Sequence, residues 1–276
     1  MNAGLRQWLG MMLVLATTAQ CNLASANDPA EIWRESVTGM AFVQIPKHCF
    51  AMGTPEQAFP TAIGSLRRRL DTERPVHEVC LDAYWIGRHE VRRADWFAVM
   101  GGSDMSGLAA NSPMTGVTWV EVQEFLTLLN ARTPGLNLRL PTEAEWEHAC
   151  HAKAAPTTQS VFPESLDSIA WFSTLTGGHS SRRVTAVQAV EQKVANAFGI
   201  FDMLGNAWEW VEDSFDHRGY SAHALYNPVI RQAGAPAGIR GGGIRTEAMM
   251  LRCETRGWMP VAESDPTLGF RLVKPR

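Results

Sequence analysis

The chain has 276 residues, 45% of them hydrophobic and 19% charged, with a formal net charge of −3. This is ordinary globular composition, sufficient for one large domain or two small ones. The charge balance gives no reason to expect nucleic acid as a partner; the one basic cluster, Arg67-Arg68-Arg69 beside Gly64 and Asp71, reads as a solvated loop, with a role on a substrate anion second.

The first twenty-six residues stand apart. Arg6 supplies a short positive region, Trp8 to Ala19 is mostly apolar, and Ala24-Ser25-Ala26 is a small-x-small cleavage site. Residues 1–26 are therefore expected to be a secretory signal peptide, and the protein to be exported, periplasmic or extracellular. Cys21 raises lipoprotein anchoring as a competitor, but Gln20 is a poor residue before a lipidated cysteine. Removing the leader leaves 24 basic and 28 acidic side chains, a net −4, and no apolar run long enough to span a bilayer.

Along residues 27–276, 41–46 and 50–53 read as short strands around Lys47-His48, and 54–75 as loop. Strands are expected again at 76–81 and 84–88, then a helix over 93–100 that stops at Gly101-Gly102. The clearest helix runs from Thr118 to Arg132, where Trp119, Val122, Phe125, Leu126 and Leu129 form one apolar stripe for the core. A second begins at Thr142, whose Thr-x-x-Glu pattern with Glu145 is a capping box. His148 and His151 lie three apart on it; with no third ligand nearby, they read as core or surface residues rather than a metal pair. Short strands over 239–241, 250–255 and 269–273 follow, and no internal repeat or dividing linker occurs. The expected class is α+β, one domain with much irregular chain.

Four cysteines follow the leader: Cys49, Cys80, Cys150 and Cys253. An even number in an exported chain suggests two disulfides, with three pairings open. Cys49–Cys80 with Cys150–Cys253 is preferred, and buried free thiols are the alternative.

The densest motif is Asn196 to Trp210, which sets Asp202 and Glu209 around Gly205 and two tryptophans. Hard oxygens on irregular backbone suit calcium. With 42–46, 52–53, 75–79, 84–91, 113–119, 138–147, 240–243, 251–252 and 268–272, this ordered set resembles the formylglycine-generating, or sulfatase-modifying factor, family. The resemblance covers nearly the whole chain after the leader and implies a variant of the C-type lectin fold. It also implies a calcium site of Asp202, the carbonyls of Gly205 and Ala207, and Glu209. A second family calcium site, near Ser168 to Trp171, is expected to be lost.

The oxidases of this family hold Cu(I) between two cysteines shortly after their Arg-Gly-Gly element. Here 244–252 contains no cysteine, so copper is not expected. Met249 and Met250, adjacent in an expected strand, would face opposite ways. Iron-dependent relatives use a histidine triad on an extra helical domain; that domain and any HxxxH are absent. Arg245, Thr246 and Glu247 occupy the segment where the family's chemistry occurs and are the candidate cleft residues, with no catalytic set identified. The expected function is an exported accessory or maturation factor, oxidative or otherwise, for a protein or peptide-like substrate. The alternative is a non-catalytic, calcium-stabilised, lectin-like binding module, whose groove some of the ten tryptophans would line.

Overall fold

The computed structural model describes residues 31–59, 64–102, 110–152, 166–172, 184–218 and 220–276. The leader and Cys21 therefore lie outside the described residues. Three small sheets organise the chain. Strands β1 (Ile32–Arg34), β2 (Ala41–Ile45), β5 (Tyr84–Gly87) and β10 (Val273–Pro275) form one antiparallel sheet in the order β1-β2-β5-β10. Strands β3 (His48–Met52) and β4 (His77–Leu81) pair with each other. The third sheet runs β8 (Arg256–Met259), β7 (Ala237–Arg240), β6 (Trp208–Ser214), β9 (Leu268–Phe270), with β6 and β9 parallel.

The helices are α1 (Gly64–Thr72), α2 (Arg93–Met100), α3 (Trp119–Arg132), α4 (Glu143–His151) and the single turn α5 (Leu166–Ile169). The expected capping box forms, with Thr142 accepting from the Glu145 amide, and the structure adds a second, in which Thr118 accepts from the Glu121 amide. Helix α3 buries Val122, Phe125, Leu126 and Leu129 as its stripe requires, and Gly101, at φ 80°, ends α2 by donating to the Phe97 carbonyl. Trp96 stacks on Phe125 with ring centroids 5.2 Å apart, and Phe270 meets Phe125 edge-on at 5.6 Å. This cluster fuses α2 and α3 to the third sheet. A second core, around Trp146, Tyr84 and Val211, joins α4 to the other two sheets and to β6 of the third.

Three expectations about elements are corrected. Residues 54–75, read as loop, contain α1, because prolines 55, 60 and 75 all fall outside Gly64–Thr72 and leave that span free to wind. The arginine run is therefore helical, and Leu70 anchors it in the core. Residues 250–255 are not a strand; a 3₁₀ turn at Ala248–Met250 precedes irregular chain, and the strand begins at Arg256. Residues 269–273 divide between β9 and β10, since Arg271 must leave the sheet to reach a buried partner.

Both disulfides form in the preferred pairing. Cys49 and Cys80 are cross-strand partners on β3 and β4, whereas Cys150–Cys253 ties α4 to the segment before β8. Among the described residues no helix is long and apolar enough to cross a membrane.

Candidate functional site

The Asn196–Trp210 motif folds as a chain of tight turns. Asp202 and Asn206 take left-handed backbone at φ 54° and 57°, and Gly205 sits between them at 77°. Gly205 is required sterically, because a Cβ there would stand 2.3 Å from the Trp171 carbonyl oxygen. The Gly205 amide donates to Gly241 and the Asn206 amide to Trp171, which holds the turn against the Arg240-Gly-Gly-Gly243 stretch.

Beneath that turn lies a buried charge centre. Glu90, Asp202 and Glu209 are all within 3% of full burial, with Arg271 fully buried beside them. Arg271 grips Glu209 bidentately, donating Nη2 to Oε1 and Nε to Oε2, both at 2.6 Å. Trp146 Nε1 donates to Oε2 at 2.7 Å, and Arg271 also reaches the main-chain carbonyls of Gly87, Phe201 and Asp202. Glu90 Oε1 accepts from Asn206 and Asp202 Oδ2 from the Glu191 amide, whereas Glu90 Oε2 and Asp202 Oδ1 are buried without a hydrogen-bond partner among the described residues. Three carboxylates therefore face one guanidinium. Burial is the first cause that pushes Asp202 up to about 6, and burial, then the Asp202 and Glu209 charges, raise Glu90 well above the usual carboxylate range.

Two orphaned, buried carboxylate oxygens call for a cation or a proton, and such hard donors suit calcium. Asp202 keeps a free oxygen for an ion. Glu209, counted as a ligand from the sequence, has its oxygens engaged by Arg271 and Trp146, and Glu90 presents the second free oxygen instead. Glu90 went unnoticed in the sequence although it sits, charged, at the end of the strand motif 84–91; Arg271, inside the apolar run 268–272, carried the same signal.

The cleft candidates come together elsewhere, above the third sheet. Arg245, Thr246 and Glu247 line a groove of about 510 Å³ whose apolar floor is Trp208, Ile239, Met250, Met259 and Leu268. Arg245 and Glu247 are exposed, while the Thr246 hydroxyl is spent on the Gly243 amide. Met249 and Met250 both line this groove, because the 3₁₀ turn lets neighbours share a side that a strand would separate. Arg69 lines it from α1 and Asp265 from the loop before β9. Of the tryptophans, Trp146 and Trp210 are core, Trp208 is floor, and Trp258 stands 46% exposed on edge strand β8. All four described cysteines after the leader are in disulfides, so no thiolate pair is left among the described residues to hold Cu(I). His148 stacks on His48 and Phe50, while His151 faces Glu147 and Glu254, so the two do not share a site.

Irregular loops on short open sheets, packed into one α+β domain, define the C-type-lectin-like class; PvdO from Pseudomonas aeruginosa shares this fold with a TM-score of 0.73 at 21% identity, over 90% of this chain and 99% of that one. The chain belongs to the sulfatase-modifying factor family, whose model, described as the sulfatase-modifying factor enzyme 1-like domain, matches residues 30–276. Among curated relatives it is 30% identical to the formylglycine-generating enzyme of Streptomyces coelicolor, over 69% of this chain and 60% of that protein. It is 29% identical to the hercynine oxygenase of Mycolicibacterium smegmatis, over 89% and 63%. It also matches the serine/threonine-protein kinase pkn1 of Chlamydia caviae at 28%, spanning only 34% of that longer protein.

Proposed function

We propose that this chain is an exported accessory or maturation factor of its family that holds a protein or peptide-like segment in the groove above the third sheet. The carrying observation is the groove itself. The stretch where the family places its chemistry, 245–250, forms one wall of an apolar trough rimmed by Arg69, Arg245, Glu247 and Asp265. An extended peptide presents alternating apolar and charged groups, which this lining matches. Export is supported by the leader-like 1–26 segment and by two disulfides.

Two charge reversals test this reading. A displayed random-peptide library panned on the protein should yield binders that Arg245→Glu or Glu247→Arg weakens at least tenfold, with melting unchanged because both side chains are exposed. Binders indifferent to both changes would sink the groove assignment.

The second reading, a calcium-stabilised module without catalysis, is favoured by the free oxygens of Glu90 and Asp202. Calcium would be held by these carboxylates with main-chain carbonyls of the 202–207 turn, and would supply structural charge rather than redox chemistry. A raised native carboxyl pKa means that the proton stabilises the fold fully below the unfolded pKa, and that this stabilisation is lost as pH rises through about 6 at Asp202. Metal-free protein should therefore lose on the order of 2–3 kcal/mol from this centre between pH 4 and pH 8. Millimolar calcium should restore roughly 5 °C of melting temperature or more at pH 8, and little at pH 5, where protons compete. Asp202→Asn should abolish the calcium response; a response of equal size in that variant would place the ion elsewhere.

A further inference from the structure

A second buried cluster lies outside the groove and outside the Glu90–Asp202 centre. Glu143 opens α4, Asp213 stands near the end of β6, and His223 lies on the irregular segment between β6 and β7. One ligand atom from each lies within 4.8 Å of the other two. Glu143 and Asp213 are fully buried.

The charge inventory of this cluster is incomplete. Glu143 is paired by Arg256, which donates Nε at 2.9 Å and Nη2 at 2.5 Å, and Arg240 lies 3.8 Å away but bonds Glu147. Asp213 receives only two amide protons, from Ile230 at 2.8 Å and Glu143 at 2.9 Å. Each of its oxygens retains a lone pair, and among the described residues no cation forms an ion pair with it. A fully buried carboxylate in that state is costly.

The histidine is oriented in advance. His77 Nδ1 lies 3.1 Å from the Pro75 carbonyl, which only accepts, so Nδ1 is the donor. In a neutral ring, His77 Nε2 must then accept, and the atom 3.1 Å from it, His223 Nδ1, must donate. This relay leaves the lone pair on His223 Nε2, an atom that is buried and has no hydrogen-bond partner among the described residues.

We propose that His223 Nε2, Asp213 and Glu143 form a binding site for a divalent transition ion of the zinc class, with His77 and the Pro75 carbonyl as the outer shell that fixes the imidazole. One imidazole nitrogen and two carboxylate oxygens, with a position left open, form a zinc-type donor set. A histidine ligand that donates its other nitrogen to a hydrogen-bond chain is the arrangement that raises ligand basicity and sets ring orientation. The ion would supply the charge that Asp213 lacks, and would clamp the segment bearing His223 onto α4 and β6. Glu143 would share its carboxylate between the ion and Arg256. This centre is chemically distinct from the all-oxygen site at Asp202, since its nitrogen donor selects against calcium.

Cobalt(II) is the probe, because it takes zinc sites and absorbs visibly when bound. Untagged, metal-free protein titrated with cobalt should show one equivalent of a visible d–d band that zinc displaces and excess calcium does not. His223→Gln should abolish the band while melting like the metal-free parent. His77→Phe should keep the band but weaken affinity about 10–100-fold, and it carries the decision should His223→Gln not fold. No band in the parent, a band that survives His223→Gln, or unchanged affinity in His77→Phe would overturn the proposal.

Discussion

Replacing Arg271 with methionine is expected to destabilise the protein by about 3–5 kcal/mol, the range for stripping one partner from a buried ion pair. Arg271 is fully buried and is the guanidinium among Glu90, Asp202 and Glu209. Removing it leaves three carboxylates facing one another and also strips donors from the carbonyls of Gly87, Phe201 and Asp202. Adding Glu209→Gln should recover part of the loss, because glutamine still offers an oxygen to Trp146 Nε1 while removing one charge. Urea unfolding of the single and double variants measures this. A single variant within 1 kcal/mol of the parent would show that Arg271 does not hold this centre.

The second large effect is expected at Cys150–Cys253. The crosslink closes a loop of 103 residues, against 31 for Cys49–Cys80. If chain entropy dominates, removal costs about 4–5 kcal/mol for the longer loop and about 3–4 kcal/mol for the shorter. Each bridge has one buried cysteine, Cys150 on α4 and Cys80 on β4, so burial does not separate them and loop length decides. Paired alanine replacements compared by urea unfolding should therefore rank Cys150/Cys253 as the more costly. The reverse ranking would mean that the entropic account fails and that β3–β4 pairing depends on its own bridge.

Much of the fold was legible because its signals are local. The stripe of α3, the capping box at Thr142, and the glycine stop after Met100 each report a short-range cause. The helix α1 was hidden because the prolines and glycines around it outweighed four good helix formers, Leu66 to Arg69, within it. The strand expected over 250–255 overlaps the turn at Ala248–Met250 by one residue, and irregular chain occupies the rest up to Arg256.

Site chemistry was legible to the extent that it sits within one motif. Asp202 and Gly205 could be found from a contiguous pattern, and the groove residues 245–247 from their place after Arg240-Gly-Gly-Gly243. Glu90 and Arg271 showed only as charges within apolar motifs; that they meet could not be read, since they come together across a long sequence separation and nothing local marks a carboxylate as unpartnered. The same holds for Glu143, Asp213 and His223, which α4, β6 and an irregular segment bring together. Glu209 carries a second tie that its motif does not reveal. Its motif suggested a metal ligand, and a distant arginine binds the same carboxylate.

Hydrogen–deuterium exchange with a library-selected peptide bound tests the central claim, that the groove holds a peptide-like substrate, most directly. Protection is predicted over 245–250 and at β8, the segments that wall the groove, with the 202–209 turn unchanged. Protection confined to other faces of the molecule, with 245–250 exchanging as in the free protein, would contradict the account.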